Sequence, residues 1–176
     1  MSQRYGGIHQ VAYVVKDIEA AMRHWSAALG VGPWFYREHC GVTEFTYYGK
    51  PVDPLPDLGI ALANSGTLQV ELIQQRNEAD TLYRDFLAEH GEGAQHIAYW
   101  TEEFDAQLAD LLAAGFIEGH AGRMGARGRF SYLVNADFPA GVVELSELAG
   151  GKAEYFRSVA EAASAWDGSD PIRYVA

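Results

Sequence analysis

The chain has 176 residues, 48% of them hydrophobic and 21% charged, which suits a folded protein with a sizeable core and excludes a disordered one. Its 24 acidic and 13 basic residues give a net charge of −11, so long-range repulsion excludes nucleic acid and anionic membrane surfaces as partners. No apolar run approaches the roughly 20 residues of a membrane span, Met1–Gly7 holds no signal-peptide core, and the single Cys40 excludes an internal disulfide and a cysteine-based zinc site, so a cytoplasmic protein is expected.

Residues 8–15 (IHQVAYVV) read as a buried strand. Asp17 can cap a helix whose apolar stripe is Ile18, Met22, Trp25 and Leu29, and Gly30 ends it. Pro51, Pro54 and Pro56 make the stretch around 43–57 a loop. An apolar strand then carries Val70-Glu71-Leu72. Leu82, Tyr83, Phe86 and Leu87 fall at helical spacing before Gly91, which predicts a linking helix near 80–89. Residues 95–100 (QHIAYW) read as another strand. Thr101 can cap a helix with Phe104, Leu108, Leu111 and Leu112 on one face, ended by Gly115. The stretch 119–128 reads as a glycine-rich loop with Gly119, Gly122, Gly125 and Gly128. Arg123, Arg127 and Arg129 lie in or beside it, and no acidic residue occurs from Gly119 to Ala136. This positive island suits a substrate carboxylate, phosphate or CoA group, or else a solvated turn. A strand with Val143-Glu144-Leu145 follows, and 151–166 read as a third helix presenting Tyr155, Phe156, Val159 and Trp166, docked on its own chain or on a partner.

The order strand, helix, short strands therefore occurs twice, and each half closes on Val-Glu-Leu. His9 and His96 are 87 residues apart and Glu71 and Glu144 are 73 apart, so the first half is longer by 14, which fits the proline-containing stretch. Two copies predict a pseudo-symmetric pair of modules. If the first and last strands of each module are neighbours, a two-fold relation gathers His9, Glu71, His96 and Glu144 around one point. Two imidazoles and two carboxylates suit a divalent ion such as Mn, Fe, Co, Ni or Zn. Taken singly, each His reads as an ordinary structural residue and each Glu as the solvent-facing member of an alternating strand. The aromatic residues, Trp34 and Tyr48 among them, read as core or as lining for a bulky apolar substrate.

Ile8-His9-Gln10-Val11-Ala12, Val70-Glu71-Leu72, Gln95-His96-Ile97-Ala98 and Gly141-Val142-Val143-Glu144-Leu145 resemble the vicinal oxygen chelate superfamily. That superfamily includes glyoxalase I, methylmalonyl-CoA epimerase, extradiol dioxygenases and bleomycin-resistance proteins, and the likeness spans about residues 7–149. It implies an α+β fold of two βαβββ modules forming a cupped mixed sheet. The whole chain 1–176 is then one domain, with module 1 at about 7–75, the linking helix at 76–92, module 2 at 93–149 and a helical tail at 150–176. The resemblance implies that His9, Glu71, His96 and Glu144 hold a divalent metal.

Four protein ligands place the chain nearest the epimerase and glyoxalase branch. The activity implied is a metal-dependent isomerase, epimerase or lyase abstracting a proton beside a metal-bound carbonyl of a small-molecule substrate. An Fe(II) extradiol-type dioxygenase and a non-catalytic small-molecule binding protein are the competing readings. Glu144 is the expected proton carrier, with Asp57 at the place of the epimerase's other acid–base residue or simply in a turn after Pro56. Arg123, Arg127, Arg129, Trp34 and Tyr48 are the expected substrate contacts, and the family likeness implies a homodimer.

Overall fold

The computed structural model describes residues 4–137 and 141–175. Two strands, β1 (Gln10–Val14) and β7 (Gly93–Thr101), lie side by side in the middle of an 11-stranded mixed sheet. They run antiparallel with Val11 facing Ile97, so that Gln10 stands opposite Ala98 and Ala12 opposite His96. A pseudo-two-fold axis through this pair relates the halves. In the first half, β6 (Leu68–Gln75) runs parallel to β1 with Glu71 beside Ala12, and β5 (Leu58–Ser65) and β2 (Trp34–Cys40) follow outward. In the second, β10 (Val142–Glu147) runs parallel to β7 with Glu144 beside Ala98, followed by β9 (Arg129–Val134) and β8 (Ile117–Arg123). The α+β fold is the expected one, a cupped sheet built from paired βαβββ units.

The helices form where the periodicity places them. Asp17 caps α1 (Ile18–Leu29), its Oδ1 accepting from the Ala20 amide at 2.9 Å, and Gly30 ends it at φ 65°, where a side chain is strained. Ile18 and Met22 bury against Trp34, Tyr36, Val70 and Leu72 on the outside of the sheet. The linking helix α2 (Leu82–His90) is capped by Thr81, whose Oγ1 accepts from the Arg84 amide at 3.1 Å. Its Leu82 and Tyr83 enter the core inside the cup, among Ala12, Ile73 and Tyr132. Helix α3 (Phe104–Ala113) starts two residues later than Thr101 suggests, and the Thr101 hydroxyl accepts instead from the Glu103 amide. In the tail, α4 (Lys152–Ser164) lies against β5.

Three segments differ from the sequence reading. The supposed loop at 43–57 contains a hairpin, β3 (Thr43–Tyr47) and β4 (Lys50–Pro51), with β3 antiparallel to β8. The prolines sit at and after β4, leaving the β-prone Thr-Glu-Phe-Thr-Tyr run free to pair. Only Gly41 and Val42 separate β2 from β3, although the two strands lie near opposite ends of the sheet order. Three peptide units reach about 11 Å at most, so the sheet must curl until its edges almost meet, which makes the cup. The glycine-rich stretch 119–128 is largely strand plus a single 3-10 turn at Gly125–Arg127. Its glycines serve close packing: a Cβ on Gly119 would lie 2.7 Å from Leu82 Cδ1, and one on Gly122 would lie 2.8 Å from the Phe130 ring. Finally, β11 (Ile172–Tyr174) pairs in parallel with β2. No helix is long and apolar enough to cross a membrane among the described residues.

Candidate metal centre

The strand faces that turn into the cup carry the chemistry. Burial alternates along β1 so that Gln10, Ala12 and Val14 are buried. Glu71 stands beside Ala12 on β6, and Glu144 stands beside Ala98 on β10. Glu71, His96 and Glu144 thereby converge, with one ligand atom from each lying within 4.8 Å of the others and all three residues buried. His96 Nε2 is 3.2 Å from Glu144 Oε2 and 3.5 Å from Glu71 Oε2. Donors bonded at about 2.1 Å to one divalent ion are about 3.0 to 3.4 Å apart at neighbouring octahedral or tetrahedral vertices. The His96–Glu144 separation falls within that range and the His96–Glu71 separation lies just above it.

The surroundings of these three residues fit a cation as well. Glu71 Oε2 is buried with only the long 3.5 Å contact from His96 Nε2 among the described residues, a poorly satisfied state for a carboxylate oxygen that a bound cation relieves. His96 Nδ1 lies 2.6 Å from Gln95 Oε1, a contact in which the ring donates and Nε2 keeps its lone pair toward the carboxylates. Burial works to lower the His96 pKa, but hydrogen bonds and charge from Glu144 and Glu71 outweigh it and raise it to about 9. Burial pushes the Glu71 carboxyl up, whereas at Glu144 the contact with His96 overcomes burial and holds it below the ordinary value. Lys152 and a hydrogen bond from Ser146 lower Glu144 further; the Tyr132 hydroxyl also donates to Glu144 Oε2 at 3.2 Å and lies 3.4 Å from His96 Nε2. Tyr132 faces Glu144 across β9–β10, while the residue facing Glu71 across β5–β6 is Leu62.

His9 is not in this group. It lies just ahead of β1 and stacks on Trp100, ring centroids 4.7 Å apart and planes 11° apart. Gln10 holds the place related to His96 by the pseudo-symmetry; it is buried and lines the same chamber as Glu71 and Glu144. The helix starts carry the signal: Asp17 and Glu103, the residues preceding α1 and α3, are 86 apart, and His96 less 86 is Gln10. Val11-Ala12-Tyr13 and Ile97-Ala98-Tyr99 repeat at that same offset.

The chamber has a volume of about 90 Å³ and opens to solvent. Arg127 is the only one of the five expected substrate contacts on its wall. Arg129 is bound outside the chamber by Asp105 and Glu147, at 2.7 and 2.8 Å. Arg123 lines a separate shallow pocket and lies 4.0 Å from Glu44. Trp34 is fully buried beneath α1, and Tyr48 is exposed and packs on Tyr47. Asp57 does not line the chamber; its Oδ1 lies 2.7 Å from His39 Nδ1 near the surface. Sequence reasoning missed Gln10, Tyr132, Ser146 and Lys152, all of which line the chamber. His120 is buried apart from the cluster, and its Nδ1 accepts from the Leu82 amide at 3.2 Å.

Residues 9–132 match the family model of the Glyoxalase/Bleomycin resistance protein/Dioxygenase superfamily. The chain belongs to that superfamily. Among solved structures this superfamily member is similar in fold to methylmalonyl-CoA epimerase from Mycobacterium tuberculosis, with a TM-score of 0.60 at 20% identity over 88% of this chain and 96% of that one. A hypothetical protein from Bacillus halodurans C-125 is similar with a TM-score of 0.57 at 17% identity, over 80% of this chain and 93% of that one. A Streptomyces coelicolor methylmalonyl-CoA epimerase variant in complex with 2-nitronate-propionyl-CoA is similar with a TM-score of 0.53 at 20% identity, over 81% of this chain and 97% of that one. No curated protein sequence gives a significant match.

Proposed function

We propose that the chain is a metal-dependent isomerase or epimerase, or a lyase of the same chemistry, that moves a proton on the carbon beside a substrate carbonyl. The observation that carries this reading is the buried convergence of Glu71, His96 and Glu144 on the chamber wall. Glu71, His96 and Glu144 are assigned as ligands, with the Gln10 amide oxygen as the fourth in place of His9. A divalent ion bound there supplies Lewis acidity toward the carbonyl oxygen of the substrate.

The protein groups do the rest. Gln95 fixes the His96 ring, and Tyr132 orients the Glu144 carboxylate by donating to its Oε2. Glu144 is the group we assign to proton transfer, because it faces the chamber while Asp57 does not. The apolar walls keep bulk water from the carbon that loses its proton.

The test is elemental analysis of the purified protein followed by proton exchange in deuterated water over a panel of 2-oxo acids and acyl thioesters. The expected result is one divalent ion per chain and deuterium uptake at the carbon beside the carbonyl that stops when the ion is chelated. A protein that takes up no ion, or that loads fully and exchanges none of the panel, overturns the reading.

A further inference from the structure

The chamber holds a cation that the metal reading does not use. Lys152 opens α4, is 5% exposed and lines the chamber. Its Nζ donates to Ser146 Oγ at 3.1 Å, and among the described residues it makes no direct ion pair. An ammonium has three donors, and Ser146 takes one. The carboxylates of Glu144, Glu147 and Glu71 act on it through space without bonding to it, so among the described residues two of its donors are left for an anion on the chamber side. Arg127 stands on the same wall, its guanidinium 4.9 Å over the Tyr155 ring, and it too makes no ion pair among the described residues.

Charge balance points the same way. Glu71 and Glu144 together cancel a divalent ion. Arg37, Arg127 and Lys152 also line the chamber and make its far wall positive, which suits an anionic ligand. Beside these cations the chamber wall is aromatic: Phe35 meets Tyr155 edge-on at 6.4 Å, and Phe156 packs on Trp100 at 4.3 Å.

We propose that Lys152 and Arg127 form a carboxylate-binding subsite, so that the substrate is a carboxylic acid with an aryl-sized apolar body. The inference rests on the chamber being the substrate site of the preceding reading, and it names the substrate class. Two cationic groups match the two oxygens of a carboxylate. Lys152 is a binding residue here, held in place by Ser146 and the start of α4.

The test uses the full chain loaded with zinc, the state in which Glu71 and Glu144 are neutralised, and reads binding of probes apart from turnover. Calorimetric titrations compare 3-phenylpropanoate, its methyl ester and 2-phenylethylphosphonate. The acid is expected to bind at least about tenfold more tightly than the ester. Lys152→Met is expected to remove that advantage and leave ester binding unchanged, while Lys152→Arg retains most of it. Equal affinity for acid and ester in the unaltered chain, a preference for the phosphonate, or acid binding that survives Lys152→Met would overturn the proposal. If Lys152→Met does not fold by circular dichroism, the acid–ester comparison in the unaltered chain together with Arg127→Gln decides. Loss of the acid preference removes this subsite and leaves proton exchange standing; failed exchange with an intact acid preference removes the reaction and leaves the subsite.

Discussion

Tyr132 and Glu144 face each other across the β9–β10 pairing, and the phenol hydroxyl reaches Glu144 Oε2 at 3.2 Å. The pseudo-symmetry puts Leu62 opposite Glu71, so one carboxylate accepts from a cross-strand phenol and the other faces an apolar side chain. Duplicated backbones thus carry unequal acids.

Tyr132→Phe removes the hydroxyl and keeps the ring. Proton exchange is expected to fall about 10- to 100-fold, with metal content unchanged and stability lower by about 1 kcal/mol. Exchange rates, elemental analysis and thermal melting measure the three. Unchanged exchange in a fully loaded variant would deny Tyr132 a part in orienting Glu144.

The neighbours His9 and Gln10 separate the two possible ligand sets. His9→Ala is expected to leave the bound metal unchanged. Gln10→Ala is expected to weaken it by about tenfold or more, read by competition with a chelator. The opposite pattern would return the ligand role to His9 and require β1 to shift by one residue.

Gly150 joins the last core strand to α4 at φ 53°, and a Cβ there would drive into the Ala126 carbonyl. Neither the dihedral nor the space admits alanine. Gly150→Ala is expected to destabilise the fold by about 2 kcal/mol or more and to weaken binding of carboxylates by displacing Lys152. Thermal melting and the acid–ester titration check this together, and an unshifted melting point would contradict the packing.

Glu147 gives a pH dependence outside the chamber. The hydrogen bonds from Arg129 outweigh partial burial and lower its pKa from 4.5 to about 2. A depressed carboxyl contributes stability that is complete above its unfolded value and is lost as pH falls through about 2. The melting-point gap between the unaltered chain and Glu147→Gln is therefore expected to be widest near neutral pH and to close toward pH 2. A gap that stays constant over that range would show that Arg129 gains nothing from the charge.

Most of the architecture is legible in local pattern. Ile18 and Met22 bury as their spacing requires, Thr81 caps the linking helix, and the twin Val-Glu-Leu strands sit beside β1 and β7. The strand Thr43–Tyr47 is hard to see in the sequence because its main pairing partner, β8, lies more than seventy residues away and the nearby prolines suggest a loop. The chamber was harder to read. His9 is the more conspicuous residue type, but alternation along a strand reverses facing with every single step, so an offset of 87 instead of 86 points to His9, outside the buried cluster, and passes over Gln10 on the chamber wall. Tyr132 and Lys152 join the site through cross-strand pairing and helix docking, neither of which leaves a spacing signature in the chain.

The pairing of β11 with β2 has a bearing on assembly. The sheet order ends in β11, three residues long, and in β4, two residues long and closed by Pro51, which has no amide hydrogen to offer. Short margins of this kind give an incoming strand almost nothing to zip onto. Addition of a further strand at either of these two margins is thereby disfavoured, which guards the curled sheet against polymerising through β4 or β11.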